Sequence, residues 1–201
     1  MRIPLVEDDR KTKRSNARRI GLLSIVVSLF VAVCGGAIYG YWTVFEHRFS
    51  TITEGQVYRS GAMPPERLVS KVRQYGIRTV IDLRRHSDEV AAERSVLARM
   101  GVKHFHLPSQ QVPADETVDR FLEIMKHQEY RPVLIHCTHG EGRGVLFAAI
   151  YRMEYEGWPN ERARCASRFL SFRGSFSPES SKGIFIRNYV PCWRRDNPTL
   201  H

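Results

Sequence analysis

Between Val133 and Gly144 the chain reads VLIHCTHGEGRG. A cysteine ends an apolar run, an arginine follows six positions later, and Gly140, Gly142 and Gly144 lie in or beside the turn. Each residue type suits chemistry on a tetrahedral oxyanion. Glycines permit a tight turn whose N–H groups face inward and form an anion nest. A helix starting at the end of the turn adds free N–H groups and the positive end of its dipole. Arg143 can grip two oxygens of a dianion in a planar fork. Cys137, at the base of that electropositive nest, is favoured as thiolate, the nucleophilic form. A thiolate beneath a bound phosphate can attack phosphorus and form a phosphocysteine. A rhodanese-like sulfur transferase also places a cysteine on an anion loop, but the arginine spacing favours phosphate.

Such a loop needs a strand to deliver the cysteine and a helix to present the arginine. Pro132–His136 (PVLIH) reads as the most buried strand, and Gly144–Glu156 as the helix after the loop. The same alternation fills the rest of the chain. Strands are expected at Gln56–Arg59, Ile77–Leu83 and Val102–Leu107. Helices are expected from Pro65 to about Tyr75 with Gly76 as the stop, from Asp88 to Met100 after a Ser87 cap, and from Asp115 to Gln128. Two more are expected at Asn160–Phe172 and Pro178–Tyr189. This order implies an α/β fold with a mainly parallel central sheet flanked by helices.

The loop His136-Cys137-Thr138-His139-Gly140-Glu141-Gly142-Arg143 resembles the Cys-x5-Arg signature of the protein tyrosine phosphatase superfamily. Val57-Tyr58-Arg59-Ser60-Gly61 and Gly76–Arg84 are similar to the amino-terminal part of small bacterial and fungal dual-specificity-like phosphatases. The resemblance implies Cys137 as nucleophile and Arg143 as the residue that binds phosphate and stabilises the transition state. It implies a phosphoryl cradle from the backbone N–H groups of Thr138, His139, Gly140, Glu141, Gly142 and Arg143, with His136 orienting the loop. It implies no metal and no cofactor.

Two positions depart from that pattern. Gly144 stands where the family usually has Ser or Thr, a hydroxyl that steadies the departing thiolate, so slower phosphocysteine hydrolysis is expected unless Thr138 substitutes. The stretch Phe105–Gln111 has no carboxylate where relatives commonly carry the aspartic general acid. Asp115 is the nearest downstream candidate, and it reads equally well as a helix N-cap; Glu141 and His139 are alternatives. The two departures also leave room for a phosphatase-fold module that binds phosphorylated ligands without turnover.

Outside the loop, Arg84-Arg85-His86 follow a buried strand and either support the phosphate pocket or form a solvated loop. Asp82 is expected to bond to backbone or an arginine. Arg162, Arg164, Arg168 and Arg173 read as a solvated helix face. Trp158 and Trp193 read as packing residues. Cys165 and Cys192 could pair in an oxidising compartment, but spacing cannot show it.

The net charge of +10 divides unevenly. Residues 1–19 hold seven basic and three acidic side chains, or +4, and read as a cytoplasmic tail. Residues 20–45 form 26 consecutive uncharged positions, IGLLSIVVSLFVAVCGGAIYGYWTVF, longer than the roughly 20 a spanning helix needs. A signal peptide is the alternative, but the apolar run exceeds a usual signal core and Gly35-Gly36-Ala37 is a poor cleavage site. Six Lys/Arg lie between Arg10 and Arg19, against Arg48 and Arg59 alone from the run's end to residue 60. By the positive-inside rule the tail lies in the cytoplasm and residues 46–201 lie beyond the inner membrane, in the periplasm of a Gram-negative cell. An oxidising side is an uncomfortable place for a thiolate enzyme, so the pocket must shield Cys137. The expected partners are a phosphorylated protein or a lipid phosphate, together with the membrane itself. Nucleic acid is not expected, since no zinc spacing, helix-turn-helix or aromatic-basic platform is present.

Overall fold

The computed structural model describes residues 7–171 and 174–195. The chain divides after Phe45 into two compact units.

The first unit is one helix, α1 (Glu7–Val44). Its stretch from Arg19 to Val44 is long and apolar enough to cross a membrane, and none of its most apolar window is covered by protein. At 1.5 Å per residue those 26 residues span about 39 Å, more than a bilayer's hydrocarbon core of about 30 Å.

The second unit is a five-stranded sheet with helices on both faces. Its elements in chain order are β1 (Ser50–Thr53), β2 (Val57–Gly61), α2 (Pro65–Tyr75), β3 (Thr79–Asp82), α3 (Asp88–Arg99) and β4 (Lys103–His106). Then come α4 (Asp115–Lys126), β5 (Val133–Cys137), α5 (Arg143–Tyr155), α6 (Asn160–Leu170), α7 (Ser181–Asn188) and the single turn α8 (Cys192–Arg195). The strand order is β1-β2-β5-β3-β4. All neighbours are parallel except β1, which pairs antiparallel with β2.

The expected α/β architecture is present, with differences of detail. Residues 46–55, which carried no expected element, contain β1 and so belong to the sheet. The N-cap of α4 is Ala114, which places Asp115 and Glu116 in the first turn. The helix read as Pro178–Tyr189 is shorter, because Ser180 caps it by accepting a hydrogen bond from the Gly183 N–H.

The central strands β2, β3 and β5 are buried at every position, as expected for parallel strands covered on both faces. The alternation along β5 sorts its residues. Val133, Ile135 and Cys137 join the larger core with residues of α4 and α5, whereas Leu134 joins the smaller core with residues of α2 and α3. α5 is buried from Gly144 through Tyr151, so its start, and Arg143 with it, is fixed by packing on almost all sides.

Candidate active site

Strand register brings the site together. Gly61 pairs with Cys137, and Asp82 pairs with His136, at the carboxyl ends of three parallel strands. That edge is where open α/β sheets bind ligands. The loop after β5 then packs back on β2. The Ala62 N–H donates to the Thr138 carbonyl at 3.1 Å, and Arg59 Nη1 donates to the Gly140 carbonyl at 2.7 Å. Gly140 has φ +71°, and a Cβ there would lie 2.6 Å from the backbone nitrogen of Gly61. Only glycine fits both that conformation and that approach.

Arg59 lies on β2, beside the loop. The structure shows it fully buried beneath the loop. Burial pushes its guanidinium down to about 10, the Cys137 charge pulling the other way, so it stays cationic at neutral pH. It is a fixed positive charge under the phosphate loop. A second brace comes from Arg48, which donates to the His139 carbonyl at 3.0 Å and pairs with Glu141 at 2.5 Å. His47 and Arg48 both adopt the left-handed conformation, at φ 50° and 53°. Such strain collects where a segment is held by its surroundings.

Cys137 is buried, and it lines a cavity of about 180 Å³ with Gln111, His139, Glu141, Gly142, Arg143, Ser175 and Lys182. Arg143 Nη1 donates to the carbonyls of Leu83 at 2.6 Å and Ser109 at 3.3 Å, and its Nη2 donates to Thr138 Oγ1 at 3.1 Å. The guanidinium is thereby aimed before any ligand arrives, which is what electrostatic catalysis requires. Thr138 Oγ1 accepts this bond with a lone pair, so its O–H is still available to donate.

His136 points to the opposite face of β5, and its Nε2 donates to Glu93 Oε1 at 2.8 Å. Arg84 Nη2 bridges Glu93 at 2.7 Å and Asp82 at 2.8 Å. Arg84 therefore does not line the phosphate pocket. It anchors a buried network under the loop. Asp82, Glu93 and His136 bring ligand atoms within 4.8 Å of one another, but Arg84 already bonds both carboxylates and makes this a closed charge network.

Burial raises the Asp82 carboxyl, yet His104, Arg84 and His136 outweigh it and hold it far below the carboxylate range. The same balance holds Glu93 down to about 2, against 4.5 for a free glutamate. His104 Nε2 lies 3.6 Å from Glu93 and 3.7 Å from Asp82, beyond hydrogen-bond length, so it acts as a neighbouring charge. Burial lowers its imidazole, and the two carboxylates more than reverse that. The carboxylates therefore stabilise the fold above about pH 4.5, and that contribution disappears as the pH falls towards 2. His104 contributes below its ordinary 6.5 and loses that as the pH rises through its raised value. Asp82→Ala should cost about 3–5 kcal/mol, the usual penalty for orphaning a buried charge partner. Urea unfolding followed by circular dichroism from pH 2 to 8 checks both the size and a shallower acid limb in the variant.

Asp115 is exposed and does not line the Cys137 cavity. It faces a separate cleft with Val112, Val118, Asp119, Phe185 and Tyr189 among its walls. All four cysteines are free, so Cys165 and Cys192 do not pair. Among the arginines read as a solvated face, Arg164 is buried and donates to the Phe176 carbonyl, and Arg162 stacks on Trp158 at 4.0 Å. Arg173 lies outside the described residues. Lys182, which no motif flagged, is buried beside Cys137.

A family model described as "DSP-PTPase phosphatase fused to NAD+ Kinase" matches residues 27–181. The chain belongs to this DSP-PTPase family. Among curated relatives, the dual specificity protein phosphatase TpbA of Pseudomonas aeruginosa is 30% identical over 109 residues, 53% of this chain and 47% of TpbA. The chain thus spans about half the length of the curated relatives it matches. The DSP-PTPase fold is shared with the crystal structure of P. aeruginosa TpbA, at TM-score 0.57 and 23% identity over 72% of this chain and 86% of that one. The core catalytic domain of the PP-IP phosphatase SIW14 from S. cerevisiae, in complex with citrate, aligns at TM-score 0.61 and 19% identity, covering 74% and 88%. A TpbA variant in complex with pTyr aligns at TM-score 0.54 and 22% identity, covering 71% and 85%.

Proposed function

We propose that this DSP-PTPase hydrolyses phosphate monoesters through a phosphocysteine on Cys137. The observation that carries the reading is Cys137 at the floor of a small polar cavity, with the Arg143 fork pre-aimed by three acceptors. Thr138 to Arg143 supply the N–H cradle, and His136, tied to Glu93, sets the end of β5. No metal or cofactor enters this chemistry. α1 anchors the enzyme as a single membrane span, with the basic tail in the cytoplasm and residues 46–201 on the far face.

The substrates are phosphoproteins carrying phospho-Tyr, -Ser or -Thr, or a lipid phosphate. pTyr-bound TpbA supports the first. The second is supported by α1, whose apolar stretch Arg19–Val44 would hold the enzyme at a lipid surface. Assay of the purified chain against phosphopeptides, phospholipids and sugar phosphates, with vanadate as inhibitor, should show vanadate-sensitive turnover of at least one class. No turnover of any would sink the proposal. A topology reporter fused after His201 should respond on the non-cytoplasmic side, and a cytoplasmic signal would reverse the orientation.

A binding module without turnover is the second reading, favoured by Gly144. A Cβ at that position would meet Cys137 Sγ at 3.8 Å and the carbonyls of Ser60 and Ile135 at 3.8 and 3.9 Å, all ordinary contacts. Gly144→Ser should therefore fold and set a hydroxyl beside the sulfur. If phosphocysteine hydrolysis limits the native chain, the variant should turn over up to about tenfold faster, worth about 1.4 kcal/mol, near the upper end for an ordinary hydrogen bond. Rapid-quench measurement of the second step checks this. Ligand binding with no turnover in either chain would favour the module.

A further inference from the structure

Phosphate-ester cleavage by a thiolate needs a proton for the departing oxygen, and Phe105–Gln111 supplies no carboxylate. Asp115 faces a different cleft. Glu141 lines the cavity but is paired with Arg48. Lys182 projects from α7 into the same cavity as Cys137. Its Nζ lies 2.8 Å from where a Cβ on Gly142 would stand, and Gln111 Oε1 lies 3.3 Å from that point, so both converge over the loop. Lys182 is only 8% exposed, and among the described residues its ammonium has no hydrogen-bond or ion-pair partner. Its Nζ lies 5.6 Å from the centre of the Phe176 ring, and the Cys137 charge in the same cavity favours its protonated form, so the ammonium is placed to meet an anion held over the loop.

We propose that Lys182 is the general acid and base of this reaction, in the role that relatives give to an aspartate. The inference rests on the phosphocysteine reading above. In the first step the Cys137 Sγ–P bond forms and the P–O ester bond breaks. The Lys182 ammonium gives one proton to the departing oxygen and becomes a neutral amine. In the second step that amine takes a proton from water as the water oxygen attacks phosphorus. The S–P bond breaks, the thiolate and the ammonium are restored, and inorganic phosphate leaves. At neutral pH the ammonium is the form the first step needs. Burial lowers its proton affinity, Cys137 opposes this, and Arg143 adds to it, so Lys182 is a better donor than a surface lysine.

The test uses leaving groups. Purified full-length Lys182→Met, Lys182→Arg, Asp115→Asn and Glu141→Gln are compared with the native chain on p-nitrophenyl phosphate and on phosphoserine. The aryl oxide departs readily without a proton, and the serine alkoxide does not. Lys182→Met should lose about 10²–10⁴-fold in kcat/KM on phosphoserine and less than about tenfold on the aryl ester. Lys182→Arg keeps the charge but holds its proton, so it should not rescue phosphoserine. The basic limb of the native pH profile should vanish in both lysine variants. Equal losses on the two esters together with rescue by Arg would overturn the proposal, leaving Lys182 as a phosphate-binding charge. A leaving-group-selective loss in Asp115→Asn or Glu141→Gln, with none in Lys182→Met, would overturn it in favour of that carboxylate. Phosphocysteine from the aryl ester in Lys182→Met shows that the variant is folded and that the underlying reading stands. Aryl turnover by the native chain without phosphocysteine would remove that reading and the proposal together.

Discussion

Cys137→Ser should abolish turnover while leaving the pocket able to hold a phosphate analogue. The substitution exchanges sulfur for a smaller oxygen at a buried position flanked by β2 and the start of α5. The fold has no reason to change, because the hydrogen bonds of the loop come from backbone atoms, Arg59, Arg48 and Arg143. What changes is the nucleophile: a serine hydroxyl stays protonated at neutral pH and is a far weaker nucleophile than a thiolate. A loss on the order of 10⁴-fold or more in kcat is expected, in keeping with removal of a nucleophile elsewhere. Steady-state assay against p-nitrophenyl phosphate, with tungstate binding by calorimetry as the control, separates lost chemistry from a lost pocket.

Arg143→Lys should cost about a thousandfold in kcat/KM although the charge is kept. Arg143 makes three contacts at once, to Leu83, Ser109 and Thr138, and also lines the cavity. A lysine has one nitrogen and cannot hold those acceptors while gripping two phosphoryl oxygens. Because a planar fork matches the flattened equatorial oxygens of the transition state better than those of the resting tetrahedral ester, most of the loss should fall on kcat. A variant within about tenfold of the native chain would mean that Arg143 supplies bulk charge alone, with Arg59 and Lys182 sharing the work.

The parts of the site that were legible in the sequence are those whose partners are close along the chain. Cys137 and Arg143 sit six residues apart across one turn, so residue type and spacing alone place them together. The same holds for the strand before them and the helix after them, whose apolar patterns are long and unbroken. Lys182 escaped because it lies far along the chain on a short helix, and only tertiary packing carries it to Cys137. The bond of Asp82 to an arginine, Arg84, is as expected, but its link with Glu93 and His136 is not legible, for a related reason. These three residues come from three elements, and nothing local marks Glu93 as buried in an otherwise charged helix surface. β1 is not legible because STIT is short and has one apolar residue in four, and its pairing with β2 supplies what its own pattern lacks. Asp115 shows the converse: proximity in sequence to the acid loop suggested a role, and the first turn of α4 turns it towards another cleft.

The most direct measurement is an acid quench of the full chain during turnover of p-nitrophenyl phosphate, followed by digestion and mass spectrometry. A phosphoryl group on the peptide containing Cys137, formed within the first turnover and absent from Cys137→Ser, is the predicted result. Turnover at the native rate with no adduct on Cys137, or with the phosphoryl group on another residue, would contradict it.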